Sequence, residues 1–278
     1  MTKPTEIEII SIGNELLIGK IPNTNAQYLS KQATNLGTKI TRTTTIRDNI
    51  STIATAIREA IKRKPKFIII TGGLGPTFDD KTLAGIAKAL NQKLAVNPTA
   101  LNMVKEKYET YTKTKENKTA TELTQARIKM ATIPEKTEPI RNPIGTAPAI
   151  HAEASETLIF ALPGVPREME AIFQQTIAPI LMQTTKGTAF YEKSIYARSI
   201  MESSLAPLID IVMQDNPDIY IKSHPKGEEN KPNIEIHLSL TTSDTQIARE
   251  KLEKATNQLA KLITENHGKI SGPNQLES

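Results

Sequence analysis

Thr71-Gly72-Gly73-Leu74-Gly75-Pro76-Thr77-Phe78-Asp79-Asp80-Lys81-Thr82 gathers glycines, hydroxyls and two adjacent carboxylates into one short stretch. Glycines let a backbone approach an anion closely, and the free N–H groups that open a helix point at it. Thr77 and Thr82 add hydroxyl donors. Adjacent carboxylates oppose a phosphate unless a divalent cation lies between them. Asp79 or Asp80 holding Mg²⁺ that bridges a diphosphate reconciles the two. The plainer alternative is a glycine turn with Asp79 capping the next helix. No Gly-Lys-Ser/Thr follows, so this is not a Walker A loop, and the glycines lack the G-x-G-x-x-G spacing of a dinucleotide fingerprint.

Three further segments carry polar groups of the same kind: Gly13-Asn14-Glu15, Asn23-Thr24-Asn25 and Arg47-Asp48-Asn49. Alone, each reads as a cap or a turn. Brought to one edge beside the glycine loop, their Asn and Glu side chains could read ribose hydroxyls or a base edge.

The elements that must bring them there follow from the pattern. Glu6–Ile12 is a β-branched strand. Ala26, Leu29, Ala33 and Leu36 lie at helical spacing, with Gly37 placed to end the helix. Lys39–Ile46 is a second strand, and Ile50, Ile53, Ala54, Ile57 and Ile61 trace one face of a second helix that Pro65 ends. Lys66–Thr71 is a continuous apolar strand of the kind buried on both faces in a parallel sheet. A third helix is expected over Asp79–Leu90. This alternation predicts an α/β domain with a mostly parallel sheet, in which ligands bind beyond the C-terminal strand ends. Pro98 to Met130 reads as a polar helical excursion around Tyr108 and Tyr111. Ile133-Pro134, Ala149–His151 and Thr157–Leu162 resume short strands, and Pro166–Met182 is a closing helix.

A second module follows. Ser194–Ala197, Ile219–Ser223 and Asn233–Leu240 read as strands, and Glu202–Met213 and Asp244–Glu265 as helices. That β-α-β-β-α order describes a small α+β domain. The boundary is placed at Thr184-Thr185-Lys186-Gly187, giving domains 1–184 and 185–278, with a frayed tail from Pro273 and no room for a further domain after Gly268.

Composition narrows the chemistry. The 278 residues contain no cysteine, which removes disulfides, thiol catalysis and Cys-ligated zinc. The four histidines never fall at H-x-x-x-H spacing, so any metal here is expected to be a hard cation held by oxygens. A net charge of +5 is too small and dispersed for a nucleic-acid footprint. No apolar run approaches the ~20 residues of a membrane span, and the N-terminus has no signal-peptide pattern. A cytoplasmic protein that binds neither membrane nor nucleic acid is the expectation.

Taken with their order, these motifs resemble a known family. Gly-Asn-Glu-Leu-Leu at 13–17, Asn-Thr-Asn at 23–25, Arg-Asp-Asn at 47–49 and Thr-Gly-Gly-Leu-Gly-Pro-Thr-Phe-Asp-Asp at 71–80 resemble the MoaB/MogA-type molybdopterin-binding domain. Within it they resemble the CinA (competence/damage-inducible protein A) branch. Asn142-Pro143-Ile144-Gly145-Thr146-Ala147-Pro148 and Leu162-Pro163-Gly164-Val165-Pro166-Arg167-Glu168-Met169 continue the likeness, which covers residues 6–183. Residues 190–265 resemble the small KH-like domain of CinA proteins.

The resemblance implies a three-layer MoaB/MogA-like domain followed by a KH-like α+β domain. MoaB/MogA relatives bind molybdopterin and adenylylate it, with aspartates in the positions of Asp80 and Asp48. CinA-type domains are associated with metal-dependent hydrolysis of ADP-ribose to AMP and ribose 5-phosphate. The nicotinamide-mononucleotide deamidase domain of longer CinA proteins is not carried over. Asp80 and Asp48 are thus the expected catalytic pair, with Asp79 and Asp80 on a divalent metal (Mg²⁺, Mn²⁺ or Co²⁺) and Glu15 in support. The metal would neutralise the diphosphate and activate water, and the Gly72–Thr77 N–H groups would stabilise charge on phosphorus oxygens. Gly13, Asn14, Glu15, Asn23, Asn25, Gly72, Gly73, Leu74, Gly75, Pro76, Thr77 and Thr82 are expected around the ligand. Gly145, Thr146, Pro163, Gly164, Val165 and Pro166 would wall its pocket, or serve only as a tight turn and a Pro-initiated helix. Glu168 reads as a carboxylate satisfying a helix dipole.

Neither Arg198-Ser-Ile-Met201 nor His224-Pro-Lys-Gly-Glu-Glu-Asn is a G-x-x-G clamp, and Ser199-Ile-Met-Glu202-Ser203 lacks the glycines of longer CinA proteins. Packing or dimerisation, not RNA binding, is expected of this module. The leading expectation is an ADP-ribose pyrophosphatase. The alternative is a molybdopterin-binding or adenylylating protein, and a third is an inactive oligomeric scaffold. A homo-oligomer, dimer or trimer, is expected in each case.

Overall fold

The computed structural model describes residues 4–114, 123–226 and 233–271, with the side chains of 111–114 left aside. The expectations for the Tyr111 side chain, for the Gly-Glu-Glu-Asn part of the 224–230 loop and for the tail from Pro273 lie outside what is described. The chain forms two compact units, Met1–Thr185 and Lys186–Ser278.

In chain order the first unit runs β1 (Glu6–Ile12), α1 (Asn14–Leu17), α2 (Thr24–Asn35), β2 (Lys39–Ile46), α3 (Ile50–Lys62), β3 (Phe67–Thr71) and α4 (Thr82–Ala89). It continues with β4 (Leu94–Val96), α5 (Pro98–Thr114), α6 (Gln125–Met130), β5 (Thr132–Pro134), β6 (Thr137–Ile140), β7 (Ala149–Ala154) and β8 (Thr157–Leu162). α7 (Pro166–Ile172) passes through a π turn (Phe173–Ile177) into α8 (Ala178–Thr185).

The sheet order is β2-β1-β3-β8-β7-β6. β1 pairs in parallel with β2 and β3, and β3 with β8, while β7 and β6 add antiparallel. Alternation along the strands feeds two cores. Ile10, Ile12, Ile68, Ile70 and Ile159 face α3, α4 and α5. Ile7, Ile9, Phe67, Ile69 and Phe160 face α2 and the α7–α8 segment. The result is a mostly parallel three-layer α/β sandwich whose central strand, β3, is buried along its whole length.

Several elements depart from expectation. α4 starts at Thr82 rather than Asp79, because the Asp79 and Asp80 side chains turn back onto Thr77 instead of capping the helix; its N-cap, Lys81, makes no side-chain cap bond. α1 is a single turn too short to show periodicity. β6 carries Pro139, which an edge strand tolerates and a pattern search discounts. β4 and β5 pair with each other and bracket the α5–α6 excursion.

The second unit contains β9 (Ala189–Arg198), α9 (Glu202–Asp215), β10 (Tyr220–Pro225), β11 (Asn233–Thr242), α10 (Thr245–Glu265) and β12 (Lys269–Ser271). Its antiparallel sheet is ordered β10-β11-β9-β12 over a core of Ile195, Ile221, Ile236, Leu252 and Leu259. This βαββαβ connectivity is the split βαβ of ferredoxin-like units. No two helices are consecutive among its described residues, so there is no inter-helix loop on which a KH clamp could sit. No described helix is long and apolar enough to cross a membrane.

Candidate functional site

β1, β2 and β3 end at the same edge, in register: Ser11 lies opposite Thr45 on one side and Thr71 on the other. The glycine loop leaves β3 there. Gly72 has φ +107°, and a Cβ on it would stand 2.1 Å from the carbonyl oxygen of Ile12, so only glycine lets the loop cross β1 this closely. Its N–H donates to Leu162 O at 3.0 Å, and its carbonyl accepts the Thr82 hydroxyl at 2.7 Å. Thr82 is fully buried. Its hydroxyl therefore fastens the loop to α4 and does not reach a ligand, a correction to the role expected of it.

Among the described residues, no hydrogen bond takes the N–H groups of Gly73, Leu74 and Gly75. Pro76 has none. The Thr77 N–H donates to Asp80 Oδ2 at 2.8 Å, and the Thr77 hydroxyl lies 2.6 Å from the same oxygen and against Asp79 Oδ1. Lys129 Nζ donates to the Thr77 carbonyl and pins the loop tip to α6. The Thr77 hydroxyl, with Lys129 and Lys81 nearby, holds the Asp79 carboxyl below its ordinary range.

The neighbouring loops are tied to each other. Gly13 N–H donates to Ile46 O at 3.1 Å, and Asn14 N–H to Asp48 Oδ2 at 2.7 Å. The Glu15 carboxylate folds back over Gly13, where a Cβ would lie 2.4 Å from Oε1. Burial pushes Asp48 above the usual carboxylate range, and the charges of Glu15 and Asp79 push it further; the Asn14 N–H pulls the other way. Asn23 caps α2 through Ala26 N–H, accepts from Ser11 Oγ, and donates to Thr45 Oγ1 at 3.2 Å. It is a brace with all its groups engaged. Asn25 Nδ2 donates to Thr71 Oγ1 at 3.0 Å and to Gly164 O at 2.9 Å.

The remaining expected residues divide. Gly164 and Pro166 line a small cavity of about 80 Å³ with Glu15, Asn23, Asn25, Thr71 and Gly72. Pro163 supplies a carbonyl to Thr71 Oγ1, and Val165 is exposed. Gly145 and Thr146 line neither this cavity nor the larger one beyond the loop. The Gly145 N–H is spent on Asn142 Oδ1 and the Thr146 hydroxyl faces Met130 Sδ. Asn142, unremarked as a site residue, is the hub: it accepts from Ile144 and Gly145 N–H and donates to Ala147 O and Glu168 Oε2. The larger cavity, about 270 Å³, lies on the other side of the glycine loop between Leu74, Leu83, Leu94, Gln125, Ile128 and Lys129, with Asp80 at its wall. Nothing in the polar 98–130 pattern singled out Gln125, Ile128 or Lys129.

A cation could be held by Asp80 and Asp79, or by Asp48 with Glu15. Among the described residues no three His, Asp or Glu side chains gather into a ready metal cage. One or two carboxylates with a ligand's phosphate oxygens completing the shell is how Mg²⁺ is usually bound, and the donor set present fits that mode.

A glycine loop and carboxylate-bearing loops converging on the C-terminal edge of a three-layer, mostly parallel sheet define an α/β protein of the kind that binds ligands beyond its strand ends. The chain belongs to the probable molybdopterin binding domain family, whose model matches residues 8–183. A Caldivirga maquilingensis protein is 42% identical over 253 residues, covering 90% of this chain and 94% of its own. One from Aeropyrum pernix is 40% identical over 264 residues, covering 95% of each. Among solved structures, the protein CinA of unknown function from Thermoplasma acidophilum is 37% identical, with a TM-score of 0.58, and covers 64% of this chain and 98% of its own.

Proposed function

We propose that the glycine-loop edge of the first unit binds a phosphate-bearing pterin of the molybdopterin class. The observation that carries this reading is the run of three unengaged N–H groups at Gly73, Leu74 and Gly75, an anion cradle at the end of a buried parallel strand. Family membership over residues 8–183 supports the pterin. Lys129 and Thr77 hold the cradle in shape, and Thr82 and Gly72 fix its distance from β1. The apolar walls of the larger cavity exclude water beside the loop, which strengthens each hydrogen bond to phosphate.

A second reading, metal-dependent hydrolysis of ADP-ribose to AMP and ribose 5-phosphate, is favoured by one observation: Asp48 is raised beside two other carboxylates. A bound divalent cation would neutralise the diphosphate and acidify a water. Asp79 and Asp80 would orient it, Asp48 would take the proton, and the Gly73–Gly75 N–H groups would meet charge on the phosphorus oxygens. A homo-oligomer, dimer or trimer, suits either reading, since Phe78, Ile18 and Val165 stand exposed on the loops of this edge.

Equilibrium binding to molybdopterin, released anaerobically from a molybdoenzyme, tests the first reading. Incubation with ADP-ribose and Mg²⁺, Mn²⁺ or Co²⁺, with AMP followed by chromatography, tests the second. Pterin binding without AMP release selects the first. AMP release that is lost in Asp80→Asn selects the second, and failure of both rejects the site.

A further inference from the structure

The Asn25 amide is oriented by its surroundings. Its Nδ2 faces two acceptors, Gly164 O and a Thr71 hydroxyl whose own proton is given to Pro163 O at 3.0 Å. Turning the amide over would set Oδ1 against a carbonyl oxygen, so the assignment is fixed. Among the described residues Oδ1 is consequently buried with no hydrogen-bond partner, on a side chain that lines the small cavity together with Glu15. Asn23, two residues earlier on the same helix start, has every group engaged, so of these two asparagines Asn25 carries the orphan. A buried acceptor left unmatched costs free energy, and such groups in native structures are commonly met by a ligand or an ordered water.

The two sides of Gly72 therefore have opposite demands. Among the described residues, Gly73–Gly75 present donors without acceptors, and Asn25 Oδ1 and Glu15 present acceptors without donors. We propose that Asn25 Oδ1 accepts an N–H from the heterocycle of the ligand and so selects a ring with an amino or imino edge while its phosphate lies on the Gly73–Gly75 side. This rests on the pterin reading and deepens it. A pterin carries a 2-amino group and an adjacent ring N–H on one edge, which suits an amide oxygen beside a carboxylate. A phosphate would be repelled from that end of the site by both groups.

The test measures, in the full-length protein, Kd for molybdopterin and, separately, for pyrophosphate, which probes the cradle alone. Asn25→Ala is expected to weaken molybdopterin binding about tenfold or more while pyrophosphate binding stays as in wild type. Asn25→Asp in acid, where the protonated carboxyl can donate to Gly164 O and keep its other oxygen as the acceptor, is expected to retain molybdopterin affinity. Equal loss of both ligands in Asn25→Ala would mean the side chain acts through the loop, and unchanged molybdopterin binding would mean it does not meet the ring; either overturns the proposal. If Asn25→Ala does not fold, loss of pterin binding in a folded Asn25→Asp protein under the same acid conditions, where wild type still binds, overturns it. Wild type that binds pyrophosphate but no pterin instead rejects the pterin reading. Should Asn25→Ala weaken ADP-ribose and leave the pterin untouched, the donor is a ribose hydroxyl and the ring assignment is wrong.

Discussion

The backbone N–H of Asn14 donates to Asp48 Oδ2 at 2.7 Å, so the loop after β1 hangs from a carboxylate on the loop after β2. The same carboxylate is partly buried and faces Glu15 and Asp79, which raises its pKa. A carboxyl raised in the folded state favours folding while protonated, and that contribution is lost as pH rises through its folded pKa. Asp48→Asn keeps an acceptor for Asn14 and removes the charge. We predict that metal-free wild type loses stability between the ordinary Asp range and neutral pH, and that the variant loses less and is the more stable at pH 7. Urea midpoints taken from pH 4 to 8 in chelator check this; superimposable pH profiles for the two proteins would refute it.

Glu8 lies within β1, nearly inaccessible, and Arg63 at the end of α3 grips it with two bonds of 2.6 and 2.7 Å. Removing the cation strands a buried carboxylate. Arg63→Ala is predicted to cost about 3 kcal/mol of unfolding free energy. The double variant Arg63→Ala/Glu8→Leu is expected to recover most of that, because no charge is left buried. A double variant no more stable than Arg63→Ala would show that the loss comes from Arg63 packing, not from the stranded charge.

How much of this was legible in advance depended on what kind of signal each residue leaves. β1, β3 and α3 announce themselves because isoleucines repeat at strand or helix period, and the loops that follow them must then meet at one edge. Asp48 and the glycine loop could be placed there from topology alone. Asn142 could not: its role rests on a buried turn, and an Asn before Pro reads equally as a surface bend. Nor could the direction of Asp79 and Asp80: they turn back to Thr77 within the loop, and Thr77 is itself pinned by Lys129 from α6, a chain-distant contact. α1 and β6 escaped because one turn has no period and a proline masks an edge strand.

Gly72 is the narrowest point of the site, and the obstacle to a side chain there is backbone. With φ +107° and the Ile12 carbonyl oxygen 2.1 Å from where a methyl carbon would stand, Gly72→Ala cannot be relieved by a rotamer change. The variant is predicted to lose more than about 2 kcal/mol of stability, and to lose pyrophosphate binding even where it remains folded. Gly19→Ala is the control for positive φ, since a Cβ there meets nothing within 4 Å. It should keep pyrophosphate binding. Equal effects at the two positions would assign the loss at Gly72 to backbone conformation and not to the close approach.

Asn142 holds four groups at once: two N–H groups on Oδ1, and Ala147 O and Glu168 Oε2 on Nδ2, the last at 2.7 Å. The side chain is almost wholly enclosed, so water cannot replace it. Asn142→Ala is predicted to cost about 3 kcal/mol, the desolvation penalty of several stranded groups. Asn142→Asp separates the two halves of the network. It keeps the acceptor for Ile144 and Gly145 but sets a second carboxylate where a donor had met Glu168. Two carboxyls at that distance share one proton, which raises the pKa of the pair. Stability of the variant should then be near wild type in acid and fall as pH rises through that raised value, by more than the fall that Asp48 gives wild type. Chemical denaturation of both proteins at pH 4.5 and 7.5 reads the difference directly; a gap that does not widen with pH would mean Glu168 has swung away from residue 142 and that Gly145, against which its carboxylate now rests, is free of it.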